Sequence, residues 1–99
     1  MNNQQIYQQA LDKFGIDNQL LVLIEEMAEL TKEIIKKFRK KDDNFDKIKI
    51  YEELVDVKIM LIQVELFFQQ QDEDYQNFID KFIQEKTNRL QKRLNGKVN

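Results

Sequence analysis

Apolar residues recur along the chain with the three- and four-residue spacing of amphipathic helices. There is no proline, and the 2 glycines fall near predicted helix ends. The pattern predicts an all-α fold: a small four-helix bundle-type domain spanning residues 1–99 as a single domain. The predicted helices are one ending at Gly15, one from a cap at Asp17 or Asn18 to about Arg39, one from near Asn44 to about Gln70, and one from a cap at Asp72 or Asp74 to near Gly96, with Lys40 to Asn44 as a loop.

The two central helices carry more apolar surface than one neighbour can cover. On the second helix, apolar residues occupy about half of the circumference at roughly 100° per residue. The third helix is apolar almost all round from Leu54 to Phe68, which predicts a place at the centre of a bundle or in a subunit interface. We therefore expect a homo-oligomer, a homotetramer or a homodimer.

The composition excludes several chemistries. The chain has no cysteine, histidine or serine, which excludes the usual thiol and serine nucleophiles, disulfides and Cys/His zinc sites. Its 18 Asp and Glu residues offer oxygen ligands for hard ions such as Mg²⁺ or Mn²⁺. The net charge of -2 argues against binding to a nucleic acid polymer. With no signal peptide and no apolar run long enough to span a bilayer, we expect a cytoplasmic protein that does not enter a membrane.

Two acidic clusters lie on the two central helices. Glu25, Glu26 and Glu29 share the second helix, and Glu53 and Asp56 share the third. Glu26 and Glu29, like Glu53 and Asp56, are three residues apart and so are neighbours on one helix face. Like charges at this spacing favour either a counter-ion or open solvent, and a solvated acidic face is the common explanation for a single such cluster.

The second cluster has a predicted direction. Lys58 and Glu65 mark one outward side of the third helix, and Asp56 lies roughly 170° from them on a helical wheel. Asp56 is therefore predicted to point into the bundle, where an unpaired carboxylate must protonate or find a cation. Carboxylates from two antiparallel helices would suit hard divalent ions. The alternative is a buried salt bridge from Glu53 or Asp56 to Lys86 or Arg89.

The fourth helix turns basic toward its C-terminal end. Lys86 falls on an apolar stripe, with Arg89 and Arg93 beside it. These cations either neutralise the carboxylates, or grip a phosphate group held there, or complement the helix dipole. Four aromatic residues are candidates for stacking on a base, although core packing is the more common role for each: Phe14, Phe38, Phe45 and Tyr51.

The two acidic motifs, in order, resemble those of the MazG-like superfamily of all-α nucleoside triphosphate pyrophosphohydrolases. The matching segments read LIEEMAELTKEI and YEELVDVKIMLIQVE, and the resemblance covers most of residues 16–95. It implies a Mg²⁺-dependent enzyme, with Mn²⁺ as a possible substitute, that cleaves a nucleoside triphosphate between the α- and β-phosphates in nucleotide-pool house-cleaning. The chain lacks tryptophan and histidine, which some relatives use around the base.

The resemblance also assigns roles to individual residues. Glu26, Glu29, Glu53 and Asp56 match the metal ligands of the family, and Glu25 matches a supporting glutamate, so Glu25 and Glu26 are the candidate catalytic residues. Family members use basic or amide side chains of the last helix near the triphosphate, which implies substrate contacts from Lys86, Arg89 and Asn88. Two alternatives remain: a non-catalytic helical interaction module with solvated acidic patches, and an enzyme similar to phosphoribosyl-ATP pyrophosphatases.

Overall fold

The computed structural model describes residues 1–39 and 46–96. Within these ranges the chain is all-helical, with α1 at Asn3–Phe14, α2 at Ile16–Arg39, α3 at Lys47–Gln71 and α4 at Tyr75–Leu94. The predicted loop from Lys40 to Asn44 lies outside the described residues. No helix in the described ranges has the length and apolar content needed to cross a membrane.

The chain divides into two compact units, Met1–Phe67 and Phe68–Asn99. The first unit holds α1, α2 and most of α3, and the second holds the end of α3 together with α4. The prediction of a single domain over residues 1–99 stays a prediction.

The helix ends follow local capping chemistry. Asn2 caps α1 through a reciprocal pair of hydrogen bonds, in which the Gln5 N–H donates to Asn2 Oδ1 at 2.8 Å and the Asn2 N–H donates to Gln5 Oε1 at 2.9 Å. Gly15 ends α1 as predicted, with its N–H donating to the Leu11 carbonyl at 2.9 Å and a φ of 83°.

One predicted helix cap was wrong, and two other helix boundaries lie close to their predicted positions. α2 begins at Ile16, directly after the Gly15 turn, so neither Asp17 nor Asn18 precedes it as a cap. α3 begins at Lys47 because Asp46 Oδ1 accepts a hydrogen bond from the Ile48 N–H at 2.9 Å, as an N-cap does. α4 ends at Leu94, two residues before Gly96.

The predicted side-chain caps of α4 divide between two roles. Asp74 occupies the N-cap position but makes no side-chain capping bond. Asp72 Oδ1 instead accepts a hydrogen bond from the Asp74 N–H at 2.9 Å and so stabilises the turn between α3 and α4.

α2 and α3 run antiparallel in the first unit. Gln19 Nε2 donates to Gln63 Oε1 at 2.7 Å in the buried part of their interface. Seven residues further along α2 and seven residues back along α3, carboxylate oxygens of Glu26 and Asp56 lie within 4.8 Å of each other. Since both amides are buried, their hydrogen bond fixes this register: a slip would leave polar groups unsatisfied.

Within the described residues, the buried apolar side chains are Leu11, Leu23 and Met60, one from each helix of the first unit. The buried residues of α3 are Met60 and Gln63, and the prediction that α3 lies at the centre of a bundle or in a subunit interface stays a prediction. Leu54, Leu61 and Ile62 are each about 40 % exposed. The apolar surface of α3 is therefore larger than the area that α1 and α2 cover.

Candidate metal centre

Three acidic side chains meet between α2 and α3. Glu26 of α2 and Glu53 and Asp56 of α3 each place a carboxylate oxygen within 4.8 Å of the other two. The antiparallel register produces this acidic cluster, because it sets the Glu26 turn beside the turn that carries Glu53 and Asp56. Three oxygens from two helices thus converge on one small volume.

The charges of the acidic cluster act on Glu26. Partial burial raises the pKa of Glu26, and the negative charges of Asp56 and Glu53 raise it further. Glu29 and Glu25, on the same helix, add to the effect. The ionised form of Glu26 is therefore less favourable here than in an isolated glutamate, and a bound cation would relieve the repulsion.

Glu53 responds in the same way. Partial burial raises its pKa, and the charges of Asp56, Glu29 and Glu33 raise it further, while Lys49 acts in the opposite direction. Lys49 lies one turn before Glu53 on α3 and has its ammonium nitrogen 3.8 Å from a carboxylate oxygen of Glu52. The net effect of these neighbours is a raised pKa of Glu53.

The predicted burial of Asp56 was wrong. Asp56 faces α2, since its carboxylate lies beside Glu26, but the residue is exposed. Helical-wheel angles give a direction and not a depth. At this level α2 presents charged glutamates rather than apolar side chains, so the interface between α2 and α3 stays open to water.

Glu25 and Glu29 lie beside the acidic cluster and not within it. Both are exposed on α2, and neither places an oxygen within 4.8 Å of all three clustered carboxylates. Their negative charges nevertheless reach the cluster, because Glu29 raises the pKa of both Glu26 and Glu53 and Glu25 raises that of Glu26. Both predicted roles stay predictions.

Glu33 is an acidic residue on the side of α2 that faces α3, and it was not predicted from the sequence. It is buried, and its two carboxylate oxygens lie 2.8 Å and 3.3 Å from the ammonium nitrogen of Lys36. A signal was present, since Glu33 is seven residues after Glu26 and so returns to the same face of α2. Its ion pair gives it a structural role, unlike the carboxylates of the acidic cluster.

The predicted substrate residues lie on α4, in the second unit. Lys86, Arg89 and Asn88 are exposed, and Asn88 Oδ1 accepts a hydrogen bond from Gln84 Nε2 at 2.9 Å. The predicted substrate contacts of Lys86, Arg89 and Asn88 stay predictions. The alternative ion pairs from Lys86 or Arg89 to Glu53 or Asp56 stay predictions.

The candidate aromatic residues are exposed, against the expectation of core packing. Phe14, Phe38 and Tyr51 have exposed fractions of 52 %, 77 % and 53 %, and Phe45 lies outside the described residues. Tyr51 is the one next to the acidic cluster. An open recess on α3 is lined by Ile48, Tyr51, Glu52, Val55 and Asp56, so a phenol ring and a cluster carboxylate share one surface.

The donor set of the acidic cluster fits a hard divalent cation. Ligand oxygens about 2.1 Å from Mg²⁺ in octahedral geometry stand about 3.0 Å apart when adjacent and about 4.2 Å apart when opposite. The separation of at most 4.8 Å between the clustered oxygens requires only small side-chain adjustments to reach these values. All three donors are carboxylates, the ligand type that Mg²⁺ and Mn²⁺ prefer.

Comparison with known proteins adds no assignment. No protein-family model, curated protein or solved structure matches the chain. The function of the acidic cluster therefore has to be argued from its own chemistry.

Proposed function

We propose that the chain is a Mg²⁺-dependent nucleoside triphosphate pyrophosphohydrolase, which converts a (d)NTP to (d)NMP and pyrophosphate in the cytoplasmic nucleotide pool. The observation that carries the proposal is the convergence of Glu26, Glu53 and Asp56 from two facing helices. The raised pKa values of Glu26 and Glu53 support it, because like charges held together favour a cation at that position.

Glu26, Glu53 and Asp56 would hold Mg²⁺, with Glu29 as a further ligand from the next turn of α2. When bound, the ion would offset the charge of the triphosphate and lower the pKa of the attacking water. Hydrolysis of a phosphoanhydride in this way requires no covalent nucleophile, which agrees with a chain that has no serine, cysteine or histidine.

The remaining residues of the proposed site have separate tasks. One carboxylate, with Glu26 as the candidate and Glu25 in a supporting role, takes the proton of the attacking water. Lys86 and Arg89 stabilise charge on the departing pyrophosphate, and Asn88 offers an amide to the substrate. The exposed Tyr51 ring is available to stack on a base, since its recess also includes Asp56.

The active form is proposed to be a homotetramer or a homodimer. Leu54, Leu61 and Ile62 support this, because three large apolar side chains about 40 % exposed on one helix are typical of an interface. The same exposed surface is also what a non-catalytic interaction module would use, so a direct assay of catalysis has to separate the two.

The test is pyrophosphate release from a panel of canonical and damaged (d)NTPs in Mg²⁺. We expect wild type to turn over, and Glu26→Gln and Asp56→Asn to lose at least about a hundredfold, as is typical when a metal ligand or catalytic acid is removed. Glu73→Gln is the matched control, because it removes one negative charge in the turn between α3 and α4. Equal turnover in all four proteins, or none in wild type, contradicts the assignment and favours the interaction module.

A further inference from the structure

A second apolar face of α2 lies on the opposite side of the helix from the acidic cluster. Ile24 and Ala28 are each about 200° around the helix from Glu26. Leu21, Ile24 and Phe38 on this face are 59 %, 58 % and 77 % exposed. The face, here called the α2 seam, consists of Leu21, Ile24, Ala28, Thr31, Ile35 and Phe38.

The α2 seam has the spacing of a coiled-coil interface. Its six residues follow one another at alternating intervals of three and four, which is the heptad pattern of a and d positions. Each of them is exposed in the described structure. Such a run keeps one stripe of a helix directed toward a single partner helix over five turns.

The small residues at the middle of the α2 seam make room for a close approach. Ala28 and Thr31 lie in a groove bounded by Lys32, Ile35 and Lys36. The Thr31 hydroxyl donates to the Met27 carbonyl at 2.8 Å, so its hydrogen bond is made within the helix. An apolar partner that covers Thr31 therefore leaves no polar group unsatisfied.

The side-chain sizes along the α2 seam are nearly symmetric, with large residues at both ends and small ones in the middle, so two antiparallel copies have complementary surfaces. In an antiparallel pairing centred between Ala28 and Thr31, Ala28 meets Thr31 of a second copy, Ile24 meets Ile35, and Leu21 meets Phe38. Every member of the α2 seam then has a partner of apolar surface, and each contact occurs twice about a two-fold axis. Small residues meet at the axis and large ones at both ends.

The charges on the rim agree with the same register. Glu25 and Lys32 are exposed on one edge of the α2 seam. When Ile24 meets Ile35 of a second copy, Glu25 comes to lie beside Lys32 of that copy, and the two-fold axis repeats this opposite-charge pair. In a parallel pairing Glu25 would instead lie beside Leu20 of the second copy and Lys32 beside Met27, so the opposite-charge pair would be lost.

From the self-complementary sizes and the rim charges, we infer that the α2 seam binds the α2 seam of a second copy of this chain in antiparallel register. The occupant is a second copy of the same chain and not an unrelated protein. The inference is independent of the proposed catalysis, because its readout is molecular mass and cross-linking rather than turnover.

The first test is sedimentation of the full chain at micromolar concentration. Wild type is expected at a mass of two chains of 12.0 kDa each, or of a larger even number of chains. Ile24→Glu places a carboxylate in the α2 seam and is expected to halve the mass. Ile83→Glu is the matched control, since Ile83 on α4 is 60 % exposed and Ile24 is 58 % exposed. A monomeric wild type, or equal masses for the two variants, overturns the inference.

The second test examines the rim charges. Lys32→Glu is expected to raise the dissociation constant of the dimer about tenfold, because two attractive pairs become repulsive. The double variant Glu25→Lys with Lys32→Glu is expected to restore it. Lys92→Glu, the same change of charge on an exposed part of α4, is expected to have no effect. If the double variant is no tighter than Lys32→Glu, the antiparallel register is wrong.

The third test uses the absence of native cysteine. The double variant Ile24→Cys with Ile35→Cys is expected to form a disulfide-linked dimer under mild oxidation, since the two positions meet across the axis. Leu21→Cys with Ile24→Cys places two thiols on the same seam but not opposite each other. If this control cross-links as fast, or if the first variant stays monomeric, the pairing is refuted.

Discussion

Replacing Glu26 with glutamine should stabilise the protein without metal and destabilise it, relative to wild type, with metal. Glu26→Gln keeps the shape of the side chain and removes one of three negative charges in the acidic cluster. The amide has no charge to be repelled by Asp56 or Glu53, and it is also a much poorer ligand for Mg²⁺.

The magnitude follows from the geometry. Two unit charges 4.8 Å apart, the upper limit for the Glu26 and Asp56 oxygens, repel each other by about 0.9 kcal/mol in water. Salt and the open surface reduce this value, so we expect a gain of about 0.5–1 kcal/mol in the free energy of unfolding at low ionic strength. For a chain of this size that gain corresponds to a rise in Tm of about 2–6 °C.

Magnesium should reverse the order. A ligand at a hundredfold excess over its Kd stabilises the folded state by about 2.7 kcal/mol, which exceeds the charge repulsion. Wild type should therefore melt above Glu26→Gln in saturating Mg²⁺ and below it in a chelating buffer. The assay is thermal or urea unfolding followed by far-ultraviolet circular dichroism, in both buffers, with Glu73→Gln as the control for net charge.

Either of two results would refute this reasoning. If Glu26→Gln is less stable than wild type in the chelating buffer, Glu26 makes a structural contact rather than a repulsive one. If both proteins gain equally from Mg²⁺, the ion binds elsewhere. The reversal must also be absent from Glu73→Gln, because a general effect of net charge would act on both variants.

Three further predictions concern the pH response, the interface and the first turn. The pKa of Glu26 is raised above 4.5 in the folded state, so ionisation of Glu26 disfavours folding above the raised pKa. Without metal, the gain in unfolding free energy from Glu26→Gln, measured by urea unfolding, should therefore shrink as the pH falls from 8 toward about 4. A gain that becomes larger on acidification would contradict this prediction. Gln19→Leu and Gln63→Leu should each lower the free energy of unfolding by about 1–3 kcal/mol, because each change leaves the other buried amide without its hydrogen-bond partner. In a urea double-mutant cycle the double variant should lose less than the sum of the two single losses; additive losses would mean that the amides act independently. Gly15→Ala should lower the free energy of unfolding, obtained from thermal melting, by about 1–3 kcal/mol, because the φ of 83° and ψ of 156° are strained for alanine even though open space surrounds the new methyl group. An unchanged Tm would mean that the turn relaxes freely.

The helices and the facing of the acidic motifs could be predicted from the sequence, because both depend on periodicity. The spacing of apolar residues located all four helices, and wheel angles placed Asp56 on the side of α3 that faces α2. The helix starts were less predictable. Asp46, rather than a residue nearer Asn44, supplies the cap of α3, and such a choice depends on backbone geometry.

Burial could not be predicted from the same angles. Asp56 faces α2 and is exposed, and Lys86 lies on an apolar stripe of α4 yet is exposed in its own unit. Depth depends on what packs against a face, which a wheel does not include. The buried pairs show the same limit: Gln19 with Gln63, and Glu33 with Lys36, become visible only when the register or the rotamers are known.

Calorimetric titration of the full chain with Mg²⁺ tests the central claim most directly, which is that the acidic cluster is a cation site. Wild type and Glu73→Gln should bind Mg²⁺ with the same stoichiometry and affinity, and Asp56→Asn and Glu26→Gln should bind at least about tenfold more weakly, since each loses one carboxylate ligand. Absence of binding by wild type, or equal binding by all four proteins, would contradict the account.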